Sequence, residues 1–141
     1  MKRFRFRLEK VLSLRKHHEQ EAKTELGRAI SVLNVIEHKI KLNESQHSQA
    51  VLERFSDING NEGTSSMMSW DSYIRRLEQE AERLAEEAVR AEAVVEEKRT
   101  IYLEASRELK IMDKLKEKQK TEHRKEMYAA ETKERDDRTV S

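Results

Sequence analysis

The chain contains no cysteine, no proline and only three glycines in 141 residues. Without cysteine there is no disulfide framework and no thiolate chemistry. Without proline, no helix is forced to kink or stop. Aromatic residues make up only 5%, one Trp, three Tyr and three Phe, where a compact domain of this length would normally bury several. No apolar run approaches the roughly 18–20 residues that span a bilayer. The basic N-terminus is not followed by an apolar core, so a signal peptide is not expected. Catalytic signatures are missing too: there is no Gly-rich phosphate loop, no HExxH and no nucleophile beside a base. His17 and His18 are adjacent and point about 100° apart on a helix. His17 and Glu21 have i,i+4 spacing, but two ligands are too few for a zinc site. No catalytic, cofactor-binding or metal residue is assigned, and the chain is not expected to be an enzyme.

What the chain has is charge and a period. Charged residues make up 40% of it and hydrophobic residues 35%, a balance typical of coiled coils and long helices. From Trp70, steps of four and three residues reach Ile74, Leu77, Ala81, Leu84, Ala88, Ala91, Val95, Lys98, Tyr102, Ala105, Leu109 and Met112. A mean step of 3.5 residues holds one seam of an α-helix against a partner helix. The same step runs through Leu8, Leu12, Arg15, Glu19, Ala22, Leu26, Ala29, Leu33, Ile36, Ile40, Asn43, His47, Ala50 and Arg54. Asn43 and His47 form a polar layer that can set the register. Between the seams, residues 56–66 collect Asp, Asn, Gly and Ser, with Gly60 and Gly63 free to take φ > 0. Ser66 or Ser69 is a candidate N-cap for the second helix, with Asp71 in its first turn. Gly27, beside Leu26, costs helix stability and is read as a mark of close packing.

The expected fold is therefore all-α, a long antiparallel two-helix coiled-coil hairpin with a C-terminal helical overhang. Its expected bounds are helix 1 at about 5–55, a tip loop at about 56–68, helix 2 at about 69–135, and a disordered C-terminal tail. Folding about residue 62 pairs position i with roughly 124 − i, so Leu33 meets Ala91. The chain is expected to be monomeric, since its two seams complement each other.

A net charge of +1 hides a gradient. Residues 71–97 carry nine acids and four bases, whereas 98–125 carry ten bases and five acids. Met1 to Lys16 holds seven Lys or Arg and one acid, Glu9. In a hairpin these two basic stretches converge at the open end. Phe4 and Phe6 alternate with Arg3, Arg5 and Arg7, a period of two that suits an extended lead-in. On physics alone, four function classes stay open: an assembly or stalk protein, a chaperone-like hairpin, a nucleic-acid binder using the basic termini, and a membrane-surface helix.

The opening run Phe4-x-Phe6-x-Leu8-Glu9-Lys10-Val11-Leu12, continuing to Ala29, resembles the N-terminal signature of the FliJ family. Trp70-x-x-Tyr73-Ile74-x-x-Leu77 and Leu109-x-x-Met112-x-Lys114-Leu115-Lys116-Glu117-Lys118 are also similar to that family. FliJ is the coiled-coil component of the bacterial flagellar type III export apparatus. The resemblance implies a stalk similar to the γ subunit of rotary ATPases, working without chemistry of its own. It implies that Phe4, Arg5, Phe6, Arg7, Lys114, Lys116 and Lys118 dock into the hexameric export ATPase FliI. It implies that Tyr73 and Leu77 face the export gate protein FlhA, and that export chaperones are escorted. The facing positions Asn43, Gln46 and Ala50 lack the aromatics of some relatives. The implied location is cytoplasmic, peripheral to the inner membrane at the flagellar base. The alternative is a generic coiled-coil assembly protein or a nucleic-acid binder.

Overall fold

The structure is a computed structural model in which residues 3–59 and 64–140 are described. Two α-helices account for nearly all of them: α1, Glu9–Asn59, and α2, Thr64–Val140. No strand occurs among the described residues, and the fold is all-α. The absence of proline and the density of Ala, Leu, Glu, Lys and Arg explain why neither helix breaks. Ion pairs at i,i+3 and i,i+4, such as Arg28–Glu25, Arg99–Glu96 and Arg138–Glu134, line the exposed faces and add a few tenths of a kcal/mol each.

The helices differ from the expected bounds at three places. Helix 1 begins at Glu9 rather than near residue 5, because Arg3–Phe6 is non-helical and Arg7–Leu8 form a turn. There the Glu9 amide donates to the Phe6 carbonyl at 3.2 Å. At the other end α1 runs on to Asn59 and α2 begins at Thr64, so the residues read as a tip loop are largely helical. Ser69 is inside α2, donating its hydroxyl to the Ser65 carbonyl, and is not an N-cap. Ser66 is likewise within the helix, and the Gly60–Gly63 turn lies outside the described residues. The C-terminal stretch read as a disordered tail is helical through Val140. Arg138 pairs there with Glu134, and Thr139 donates to the Arg135 carbonyl.

The cross-helix contacts follow one antiparallel register. Glu9 pairs with Lys116, Arg15 with Glu108, His47 with Glu78 and Arg54 with Asp71. The residue numbers in each of these pairs add up to between 123 and 125, against the expected 124. Packing divides the chain into two units, Met1–Thr24 with Thr100–Ser141, and Glu25–Arg99.

The buried side chains of α1 lie on the four-three series: Leu12, Ala22, Ala29, Asn43 and Ala50. Those of α2 are Leu77, Leu84, Ala91 and Val95. Leu12 and Leu84, at 1% and 2% exposure, are the most deeply enclosed. Leu26, Leu33, Ile36, Ile40, Ile74, Leu109 and Met112 lie half-buried beside them. Two helices alone enclose a narrow strip, so most seam residues keep one wet edge. Ala81 is exposed although it belongs to the series. Gly27 has open space where a Cβ would stand, so the glycine does not mark close packing.

Candidate functional site

The terminal unit begins with the non-helical N-terminal segment. Phe6 is buried, at 7% exposure, at the residue whose carbonyl accepts from the Glu9 amide. The ring of Phe4 lies 5.6 Å from that of His123 on α2. Lys116 reaches back to Glu9 at 3.0 Å, and Arg15 holds Glu108 at 2.7 Å. Two aromatics and two ion pairs thus fasten the lead-in and the first turns of α1 onto α2. The alternation of Phe and Arg in the sequence has a physical outcome here: Phe4 and Phe6 are covered while Arg5 and Arg7 are exposed.

Of the seven residues expected to dock into a partner ring, the unit brings all into one region of the fold but exposes them unequally. Arg5, Arg7, Lys114 and Lys118 are exposed, and none has an ion-pair partner among the described residues. Lys116 is half-buried and already paired with Glu9. Phe4 and Phe6 serve packing as much as surface. A shallow groove runs between Arg3, Phe4 and Arg5 on one side and Lys116 and Lys120 on the other. Beyond His123, α2 is exposed except for the half-buried Met127 and Thr132, and Tyr128 stands 73% in solvent. The chemistry on offer is cationic and multivalent, suited to holding an acidic or dipole-lined surface rather than transforming a small molecule.

In the other unit, the residues expected to face a gate protein separate into two kinds. Tyr73 is half-buried, with the Trp70 ring edge-on at 6.2 Å and the Arg76 guanidinium 5.8 Å from its centroid. Leu77 is buried at 8% and belongs to the seam, and its carbonyl accepts from the Asn43 amide at 3.1 Å. Asn43 is the one buried polar residue among those described, and this bond satisfies it. His47 Nε2 lies 3.2 Å from Glu78, next to a notch lined by Asn43, Ser48 and Ala81. Between the last turns of α1 and the first turns of α2, Trp70 Nε1 donates to Asp57 and Arg54 donates to Asp71 at 2.7 Å. Sequence reasoning missed this polar closure, although Arg54 at the end of an apolar seam was its signal. On the outer face, a hydrogen bond from Arg83 holds the Glu80 carboxyl below its ordinary value, and the same bond raises the Arg83 guanidinium. Among the described residues no cluster of three or more metal-binding side chains occurs.

Comparison with known proteins agrees with this geometry. The family model described as "Flagellar FliJ protein" matches residues 4–141. No curated protein matches the chain. Among solved structures, CT670 from Chlamydia trachomatis, described as a YscO homolog, is similar with a TM-score of 0.66. It shares 19% identity, over 96% of this chain and 92% of that one. At that identity the likeness concerns the fold.

Proposed function

The chain belongs to the flagellar FliJ family and is a component of the flagellar protein export apparatus; from that premise we propose that it is a non-enzymatic coupler whose basic terminal unit docks into the hexameric export ATPase FliI. The observation that carries this reading is the set of exposed bases Arg5, Arg7, Lys114 and Lys118, without ion-pair partners among the described residues, around a lead-in held to α2 by Phe4 on His123, with Phe6 buried. Pinning removes the ordering cost that a loose basic arm would bear on binding. A rod seated in a six-fold ring meets its subunits unequally. It shifts the nucleotide-state equilibrium only as far as its contacts differ between those states. The other unit then faces the export gate protein FlhA through Tyr73 and its neighbours Trp70 and Arg76, with Leu77 supporting them from the seam. Escort of export chaperones, and a peripheral position at the inner membrane, belong to the same reading. No described helix is long and apolar enough to cross a membrane.

The test is a fourfold charge reversal, Arg5→Glu, Arg7→Glu, Lys114→Glu and Lys118→Glu, assayed for stimulation of the purified ATPase. Exposed single charges contribute about 0–1 kcal/mol each, but clustered charges steer docking together and in a salt-dependent way. Stimulation is expected to vanish while helicity by circular dichroism is retained. Full stimulation by the variant at physiological salt would sink the docking reading. A parallel titration with duplex DNA separates it from nucleic-acid binding, which would fall off steeply with salt.

A further inference from the structure

The terminal unit has a second feature that the docking of bases does not use. Leu14 and Ile111 are 53% and 60% exposed, Val11 is exposed and Leu115 half-buried. None of the four belongs to the seam, and they are not scattered. The Arg15–Glu108 ion pair marks one flank of the unit and fixes which residues lie level across it. On α2, Ile111 and Leu115 follow Glu108 by three and seven residues, so they lie on its face. On α1, Val11 precedes Arg15 by four residues, with Leu14 three beyond Val11. In the register set by Arg15–Glu108 and Glu9–Lys116, Leu14 lies level with Ile111, and Val11 within about a residue of Leu115. This makes two apolar layers, three to four residues apart, along the outside of the helix pair. Arg7 and Lys118 come next at the open end, and both are exposed and without an ion-pair partner among the described residues.

We infer that this flank is a docking groove for a third helix, an amphipathic segment of a partner protein that places apolar residues on Val11, Leu14, Ile111 and Leu115 and an acidic residue against Arg7 and Lys118. A third helix is the occupant because the apolar side chains stand three residues apart on one wall and four on the other. That spacing is what a coiled-coil neighbour reads and what a flat lipid surface does not require. The partner helix is acidic because the two bases closing the groove have no ion-pair partner among the described residues, and complementary charge fixes orientation as well as partner choice. The groove shares Arg7 and Lys118 with the proposed ATPase-docking surface. Its existence does not depend on the ATPase being the protein that supplies the helix.

The experiment uses the full chain and two fluorescein-labelled helical peptides with the same Leu heptad. One has Glu and the other Lys beside the apolar stripe. Fluorescence anisotropy is expected to show binding of the Glu peptide and at least about tenfold weaker binding of the Lys peptide. Leu14→Asp with Ile111→Asp should abolish binding with helicity unchanged, since both residues are exposed. Arg7→Glu with Lys118→Glu should reverse the preference and favour the Lys peptide. Equal binding of both peptides, or binding that survives Leu14→Asp with Ile111→Asp, overturns the proposal. So does an outcome in which only phosphatidylserine vesicles, duplex DNA or a second copy of the chain engages this flank. The ATPase is absent from this assay, so the groove and the docking reading can each fail alone.

Discussion

At the scale of single residues, depth in a two-helix seam is uneven, and stability should follow it. Leu84 is almost fully enclosed while Leu33 is only half-buried. Leu84→Ala should cost about 3–4 kcal/mol and Leu33→Ala about 2, because a half-wet site loses less transfer energy and leaves a smaller cavity. Denaturant melts of the two variants would rank them, and equal costs would mean that burial depth does not govern this seam. Gly27 behaves in the opposite sense. With open space at its Cβ position, Gly27→Ala should stabilise the chain by about 0.5–1 kcal/mol through lower unfolded-state entropy and better helix propensity. A lower melting temperature for Gly27→Ala would show that the glycine does have a packing role. Glu80 offers a pH test. Its carboxyl is held below its ordinary value by the Arg83 hydrogen bond, so the bond contributes fully above the usual carboxylate range. The contribution is lost as pH falls through the lowered value. The melting-temperature gap between wild type and Glu80→Gln should therefore close on acidification, and it should be small throughout because the pair is exposed.

At the scale of elements, the two helices owe their continuity to different sources. Through its paired length, α2 is held by the seam that ends in Met112 and by the aromatic contact of His123 with Phe4. From Arg124 to Val140, about 25 Å of helix at 1.5 Å per residue, it is mostly exposed. Here the Arg138–Glu134 ion pair and the Thr139 hydroxyl on the Arg135 carbonyl are its visible support. Such helix is marginal in isolation. Truncation after His123 should therefore leave the melting temperature within about 2 °C of the full chain while lowering total helicity, as read by circular dichroism. A large drop in melting temperature would show that the overhang contributes to the packed unit. Near the turn the support is polar instead, through Trp70 on Asp57 and Arg54 on Asp71.

For the whole molecule, the two seams satisfy each other within one chain, and a monomer of 16.7 kDa is expected in dilute solution. Sedimentation at micromolar concentration checks it, and a dimer that persists on dilution would mean that the seams also pair between chains. Much of the architecture was legible beforehand because a 3.5-residue period depends only on which residues are apolar and how they are spaced. The four-three series picks out Leu12, Ala29, Ala50, Leu84 and Val95, and the fold encloses all five. Register was legible for the same reason: one turn and two seams leave few ways to align. Charge convergence followed as well, since an antiparallel pair must bring residues near 1–16 beside residues near 108–125. Three-dimensional packing alone decided how each residue is used. Leu77 is buried in the seam while Tyr73 is half-buried beside Trp70, Lys116 is bound to Glu9 while Lys114 and Lys118 have no ion-pair partner among the described residues, and Asn43 is satisfied by a backbone carbonyl of the other helix. Helix ends, too, were set by contacts across the pair and by local side-chain bonds, which no count of turn-forming residues contains. Period and charge are properties of a string, whereas partnership is a property of distance. The groove of Val11, Leu14, Ile111 and Leu115 appears only when the register lays two unremarkable pairs of apolar residues side by side.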